Sequence, residues 1–359
     1  MQRQQVSASS SSRFIALDYL RGFFIFVIIV DHAYRWPSLL GLLTGQGMLW
    51  VTAAEGFVII SGFLIGYIRG YKNKDEPIVN ISKKLLKRAL LLYIWFVIST
   101  LFYVGASWYI PTSGSTPWIE ITAFNWRELF ILTSTFAYSY TWVHFLYLYA
   151  IFLAVAPLAI YLLRKQLAWC LALISIFGYI IGLYYSIHWL QWQILFFLPS
   201  IAGFHLPQLQ QTWKKTTPLK KRWALWALAI TTLATVGLSI VTCFVFPEAP
   251  FSIWLNNTIF CKEPVGVGII PVAFIWFIAL FALFHMGRKF IKKYLAWLLL
   301  PFGTRSLTAY ILHGLAIIAF AFIFPMTDSF IFNTILGALT VLVTWVLIKL
   351  PIVQRIVPR

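Results

Sequence analysis

The sequence predicts an all-α, polytopic integral membrane protein of about ten transmembrane helices, with both termini in the cytoplasm. Three observations carry this. Of 359 residues, 61% are hydrophobic and only 11% are charged, whereas a soluble domain carries about 25% charged residues. Apolar runs of about 20 residues, the length needed to cross a bilayer, recur along the whole chain. Basic residues gather in alternate loops, as the positive-inside rule requires. The net charge of +18 is therefore a topology signal, and no nucleic-acid partner is expected. The expected surroundings are a lipid bilayer, with the chain as a multi-pass protein of the inner (plasma) membrane.

Residues 1–13, MQRQQVSASSSSR, are basic and serine-rich and precede a full-length apolar span without a small-residue cleavage site. They read as a cytoplasmic tail rather than a signal peptide. Spans follow near 14–33, 47–68, 85–108, 143–163, 167–187, 189–206, 223–246, 265–286, 305–325 and 330–350. Residues 14–350 form a single transmembrane domain on this reading, and 351–359 a second cytoplasmic tail. Clusters such as Lys83, Lys84, Lys87 and Arg88, or Arg288, Lys289, Lys292 and Lys293, follow even-numbered spans. The exits of the odd-numbered spans hold few basic residues, among them Arg35, Arg127 and Lys262.

The first span carries Asp18, Arg21, Asp31 and His32 inside or at the edge of its apolar run. Ionisable groups at membrane depth are costly and usually mark function. At about 100° per residue, Arg21 and His32 fall on one stripe, with Asp18 one turn from Arg21 and placed to pair with it. Asp31 points about 100° away from His32. The second span places Glu55, Gly62 and Gly66 on one face, a small-xxx-small pattern that admits a partner helix. Glu55 is the better candidate to orient His32, although both Glu55 and Arg21 also read as internal structural ions that set helix register.

Further along, His313 lies in TRSLTAYILHGLAII with Tyr310 one turn earlier on the same face. It reads equally as a site residue and as a hydrogen-bonded core histidine. His144 opens the fourth span at the outer face, next to an aromatic segment with Trp108, Tyr109, Trp118, Trp126, Tyr138, Tyr140 and Trp142. Such rings suit a sugar platform, or an ordinary interfacial belt. No two histidines have metal-ligand spacing on one helix, so no metal is expected. A disulfide between Cys243 and Cys261 is conceivable near the outer face.

These residues carry a resemblance. LDYLRG followed by an apolar run and DH is similar to the first helix of the acyltransferase-3 superfamily of membrane acyltransferases. AAEGFVIISGFLIG resembles the second helix of that group, with the Ala-Ala-Glu of the OpgC-type branch of periplasmic glucan succinyltransferases. HFLYLYAIFLAVAPL resembles the fourth helix of that branch, and FGTRSLTAYILHG the late Gly-x-x-Ser-x-x-x-Tyr-x-x-His block. The resemblance implies transfer of a succinyl or acetyl group from a cytoplasmic donor, acyl-CoA as co-substrate, to a hydroxyl of an extracytoplasmic envelope glycan. It carries the catalytic histidine to His32 and the donor-binding arginine to Arg21.

Together the two readings expect His32, Glu55 and His313 as catalytic residues, Arg21, Asp18 and Tyr310 at the donor, and His144 and Trp142 at the acceptor. No further cofactor is expected, and oligomeric state is left open. The competing reading is a transporter or flippase for a small anion or lipid-linked sugar, which would use the same ionisable groups as a pathway.

Overall fold

The computed structural model describes residues 2–109 and 125–357, with side chains from Ile15 onward. Its principal helices are α1 (Gln2–Ala33), α2 (Ala53–Leu64), α3 (Ile78–Ser107), α4 (His144–Arg164), α5 (Ala168–Tyr184), α6 (Ile194–Phe204), α7 (Pro218–Ile240), α8 (Ile269–Met286), α9 (Ala296–Thr304), α10 (Ser306–Ile323) and α11 (Phe330–Leu347). Short helical segments join them, and there is no strand among the described residues. Trp118 and Arg359 lie outside the described residues.

Each predicted span coincides with helical structure, but that near 189–206 is divided into His188–Trp192 and Ile194–Phe204, and not every helix is a full span. Among the described residues, seven are long and apolar enough to cross a membrane: Ala53–Lys72, Ile78–Ser107, Thr141–Arg164, Pro218–Val245, Ile269–Met286, Ser306–Ile323 and Phe330–Leu347. The first of these continues α2 through eight π-helical residues, Ile65–Lys72. α1 is not among the seven, since its apolar stretch holds Asp18, Arg21 and Asp31. α5 has 17 residues and α6 only 11, with Pro199 inside it. α1 begins at Gln2, within the stretch read as a tail. α9 answers to no predicted span: nine residues containing Pro301 and Gly303 are too short and too broken to read as one.

The chain divides into two compact units. The first comprises Met1–Gly47, Leu91–Tyr147 and Phe281–Arg359. Its centre is the crossing of α1 with α9, where backbones touch. A Cβ on Gly22 would lie 2.0 Å from the Leu299 carbonyl oxygen, and one on Gly303 would lie 1.8 Å from that of Asp18. The two glycines therefore work as a reciprocal pair, each admitting the other helix. Leu20, Ile25 and Ile29 of α1, Phe302 of α9 and Ala309 and Ala316 of α10 are buried around this crossing.

Beyond the end of α1, buried Arg35 donates 2.9 Å and 3.0 Å hydrogen bonds to the carbonyls of Pro325 and Phe324. It satisfies carbonyls that follow the last turn of α10, where no helical N–H remains to do so. Its burial lowers the guanidinium pKa from the usual value through desolvation.

The second unit comprises Met48–Leu90 and Leu148–Leu280. The glycine face of the second span packs as its spacing predicts, and its partner is α6. A Cβ on Gly62 or Gly66 would lie 1.9 Å from the carbonyl oxygen of Phe196 or Ser200, and one on Gly203 would lie 2.0 Å from that of Phe63. Arg164 ties the π-helical end of this element to the turn that follows it. Its guanidinium donates to Glu76 O at 2.7 Å, to Arg69 O at 3.0 Å and to Asn73 O. All three cysteines are free. Cys261 Sγ contacts the Glu263 carbonyl at 3.0 Å, and Cys243 Sγ lies 3.9 Å from Asn256 Oδ1, so each thiol has its own local partner and the conceivable disulfide is not formed.

Candidate functional site

The first unit brings together two histidines that are 281 residues apart in sequence. His32 Nδ1 lies 2.7 Å from His313 Nε2, with ring centroids 4.9 Å apart. His313 Nδ1 in turn lies 2.7 Å from the Tyr310 carbonyl oxygen. A carbonyl only accepts, so His313 Nδ1 carries a proton and, in the neutral ring, Nε2 is the acceptor. His32 Nδ1 must then donate to it. One tautomer follows for the neutral pair: the lone pair of His32 is on Nε2, the nitrogen that the relay does not use. His313 is fully buried and His32 half-buried, so the open end of the relay is His32.

Local packing holds the relay. Gly314 follows His313 because a Cβ there would lie 2.6 Å from Tyr103 Cζ. Tyr103 is buried beneath this turn and donates its hydroxyl to the Ile311 carbonyl. Its ring stacks on Tyr140 at 5.7 Å and meets Trp142 edge-on at 5.6 Å. On the other side, the Gln46 amide donates to Asp31 O at 3.2 Å and Val30 O at 3.4 Å. That caps the last turn of α1, the turn that carries His32. Neither Tyr103 nor Gln46 gives a sign of this in the sequence.

The other expected residues fall as follows. Arg21 pairs with Asp18 at 3.7 Å, i to i+3 on α1, and both remain partly exposed. Tyr310 is buried, its ring 5.6 Å from that of His313, and its hydroxyl accepts the Phe145 N–H at 3.3 Å. Trp142 is fully buried with its ring 6.4 Å from His313, and its indole N–H is a buried donor without a partner. His144 Nδ1 meets Ser139 Oγ at 2.7 Å, and its ring packs edge-on against Tyr147 at 4.8 Å. Of the aromatic segment, Tyr140 and Trp142 are core residues, whereas Tyr109 is 78% and Trp126 56% exposed.

Two expectations about partners change. His32 Nδ1 is taken by His313 rather than by a carboxylate. Glu55 Oε2 accepts from Thr52 N at 2.8 Å and from Thr52 Oγ1 at 2.7 Å, closing a capping box at the start of α2. Thr-x-x-Glu before an apolar run is the sequence signature of that box, so this role was open to a sequence reading. Arg35 is buried on carbonyls, and Arg127 is exposed on the short helix Trp126–Ser134.

An all-helical membrane protein with a buried histidine relay between its first and a late helix is the class that this fold and site define. The profile described as OpgC protein matches residues 13–352, and the chain belongs to that family. No curated protein and no solved structure gave a match. Family and fold together make it a membrane-embedded transferase of the glucan-modifying kind.

Proposed function

We propose that this protein transfers a succinyl group, or else an acetyl group, from a cytoplasmic acyl-CoA to a hydroxyl of an extracytoplasmic glycan. The observation that carries the proposal is the Tyr310 O–His313–His32 relay, which leaves one imidazole nitrogen with its lone pair unused at the end of a buried chain. Family membership supports the reaction class.

In the proposed reaction His32 Nε2 removes the proton of a sugar hydroxyl as its oxygen attacks the thioester carbonyl. The C–O bond forms, the C–S bond breaks, and the thiolate leaves with the proton held by His32. His313 Nε2 accepts from the imidazolium and lowers its cost in an apolar setting, while the Tyr310 carbonyl holds His313 in the tautomer that permits this. The unpartnered N–H of Trp142 is a donor for the acceptor sugar, with His144 beside it on α4. A buried donor left unpaired costs about 1–3 kcal/mol, which a bound hydroxyl relieves.

Arg21, held by Asp18, takes an anionic group of the donor. It stands eleven residues from His32 on one helix, about 16 Å along the axis. With both termini and the basic loops in the cytoplasm, Arg21 is nearer the inner face than His32. Donor and acceptor then approach from opposite sides. Glu55 we assign to holding the start of α2. Glucan-dependent release of CoA by the purified protein tests the reaction; CoA release that ignores added glucan, or none at all, counts against it.

A further inference from the structure

A concave site lies in the first unit, on the side of α9 turned away from α1. A cavity of about 620 Å³ opens between α9 and α11, lined by Trp297, Leu300, Pro301, Arg305, Trp345 and Lys349 among others. We propose that it binds one anionic phospholipid, the headgroup phosphate on Arg305 and Lys349 and an acyl chain along Trp297, Leu300 and Pro301. The proposal rests on the membrane orientation given above.

The cavity is built by specific bonds. Pro301 has no N–H, so the Trp297 carbonyl one turn earlier lacks its helical donor. Trp345 of α11 supplies one, its indole N–H reaching that carbonyl at 3.0 Å. The same indole carries the Lys349 ammonium 3.3 Å above its ring centroid, at the wall of the cavity. Gln354 donates to Lys349 O at 3.0 Å and Ile348 O at 3.4 Å, fixing the backbone beyond α11. Leu299 and Gly303 face α1, whereas Trp297, Leu300, Pro301 and Thr304 lie roughly 130° round α9 from them.

The chemistry of the walls selects the occupant. A carbon floor with two cations at its rim suits an amphiphile with an anionic head, not a free anion, which would gain nothing from the floor. Arg288, Lys289, Lys292 and Lys293 stand on the helical segment just before α9. On the proposed orientation this is the cytoplasmic face, where anionic lipid attracts basic side chains. Tryptophan at that depth matches the interfacial belt.

The test is native mass spectrometry of the full-length protein released from nanodiscs of mixed phosphatidylglycerol and phosphatidylcholine. We expect one phosphatidylglycerol retained by wild type and by His32→Ala. Retention should fall about thirtyfold in the Arg305→Gln/Lys349→Gln double variant, at about 1 kcal/mol per cation. Thr304→Trp, which fills the cavity without removing charge, should lose the lipid as well, with melting temperatures showing both variants folded. Equal retention of phosphatidylcholine, unchanged retention in the variants, or displacement of the lipid by equimolar CoA would overturn the site. Because the readout is lipid mass and not transfer, its failure is separate from failure of the proposed reaction.

Discussion

His32 Nδ1 and His313 Nε2 stand 2.7 Å apart, and the Tyr310 carbonyl behind His313 determines which of the two carries the bridging proton. His313 is on this account a positioning residue and His32 the base. His313→Leu should lower kcat on the order of 100-fold with little change in KM for either substrate. His313→Gln keeps an acceptor for His32 and should recover part of the loss. Equal loss in both variants, accompanied by a lower melting temperature, would reduce His313 to a packing residue.

Arg21→Ala should raise KM for the acyl donor by about tenfold or more and leave that for the glycan near wild type, as expected for a lost charge-assisted hydrogen bond. Separate titrations of donor and acceptor decide it. An effect confined to the glycan would contradict the assignment.

Glycine contacts make a prediction about stability alone. Gly22→Ala and Gly303→Ala force a Cβ against backbone on a neighbouring helix and should each cost about 1–3 kcal/mol. Gly237→Ala, in a helix with open space around that position, should be neutral or stabilise by up to about 1 kcal/mol. Thermal unfolding in one detergent orders the three variants. Tolerance at Gly22 and Gly303 equal to that at Gly237 would mean that α1 and α9 do not meet through backbone.

Glu55→Gln and Thr52→Ala break the same capping box and should destabilise to a similar degree, about 0.5–2 kcal/mol each. Activity per folded molecule should hold in both. Loss of activity in Glu55→Gln alone, at an unchanged melting temperature, would return Glu55 to the chemistry.

Much of this arrangement is legible in the sequence because charge and glycine stand out against an apolar background. Asp18, Arg21 and His32 on one helix, Gly62 and Gly66 on another and Tyr310 with His313 are local patterns with helical spacing. The pairing of His32 with His313 is not local, and no periodicity encodes a contact across 281 residues. α9 stays hidden because a nine-residue helix with Pro301 and Gly303 lacks the length by which spans are recognised. The role of Gln46 is equally silent, since any loop donor of suitable reach can cap a helix end. Glu55 is a different case: its charge at membrane depth suggests function, while the Thr52 three residues before it signals a cap.

The most direct measurement is mass spectrometry of envelope glycans from cells lacking this protein, complemented with wild type or with His32→Ala. A mass of one acyl unit per modified site should disappear in the deletion and return only with wild type. Glycans unchanged by the deletion, or fully restored by His32→Ala at equal expression, would contradict it.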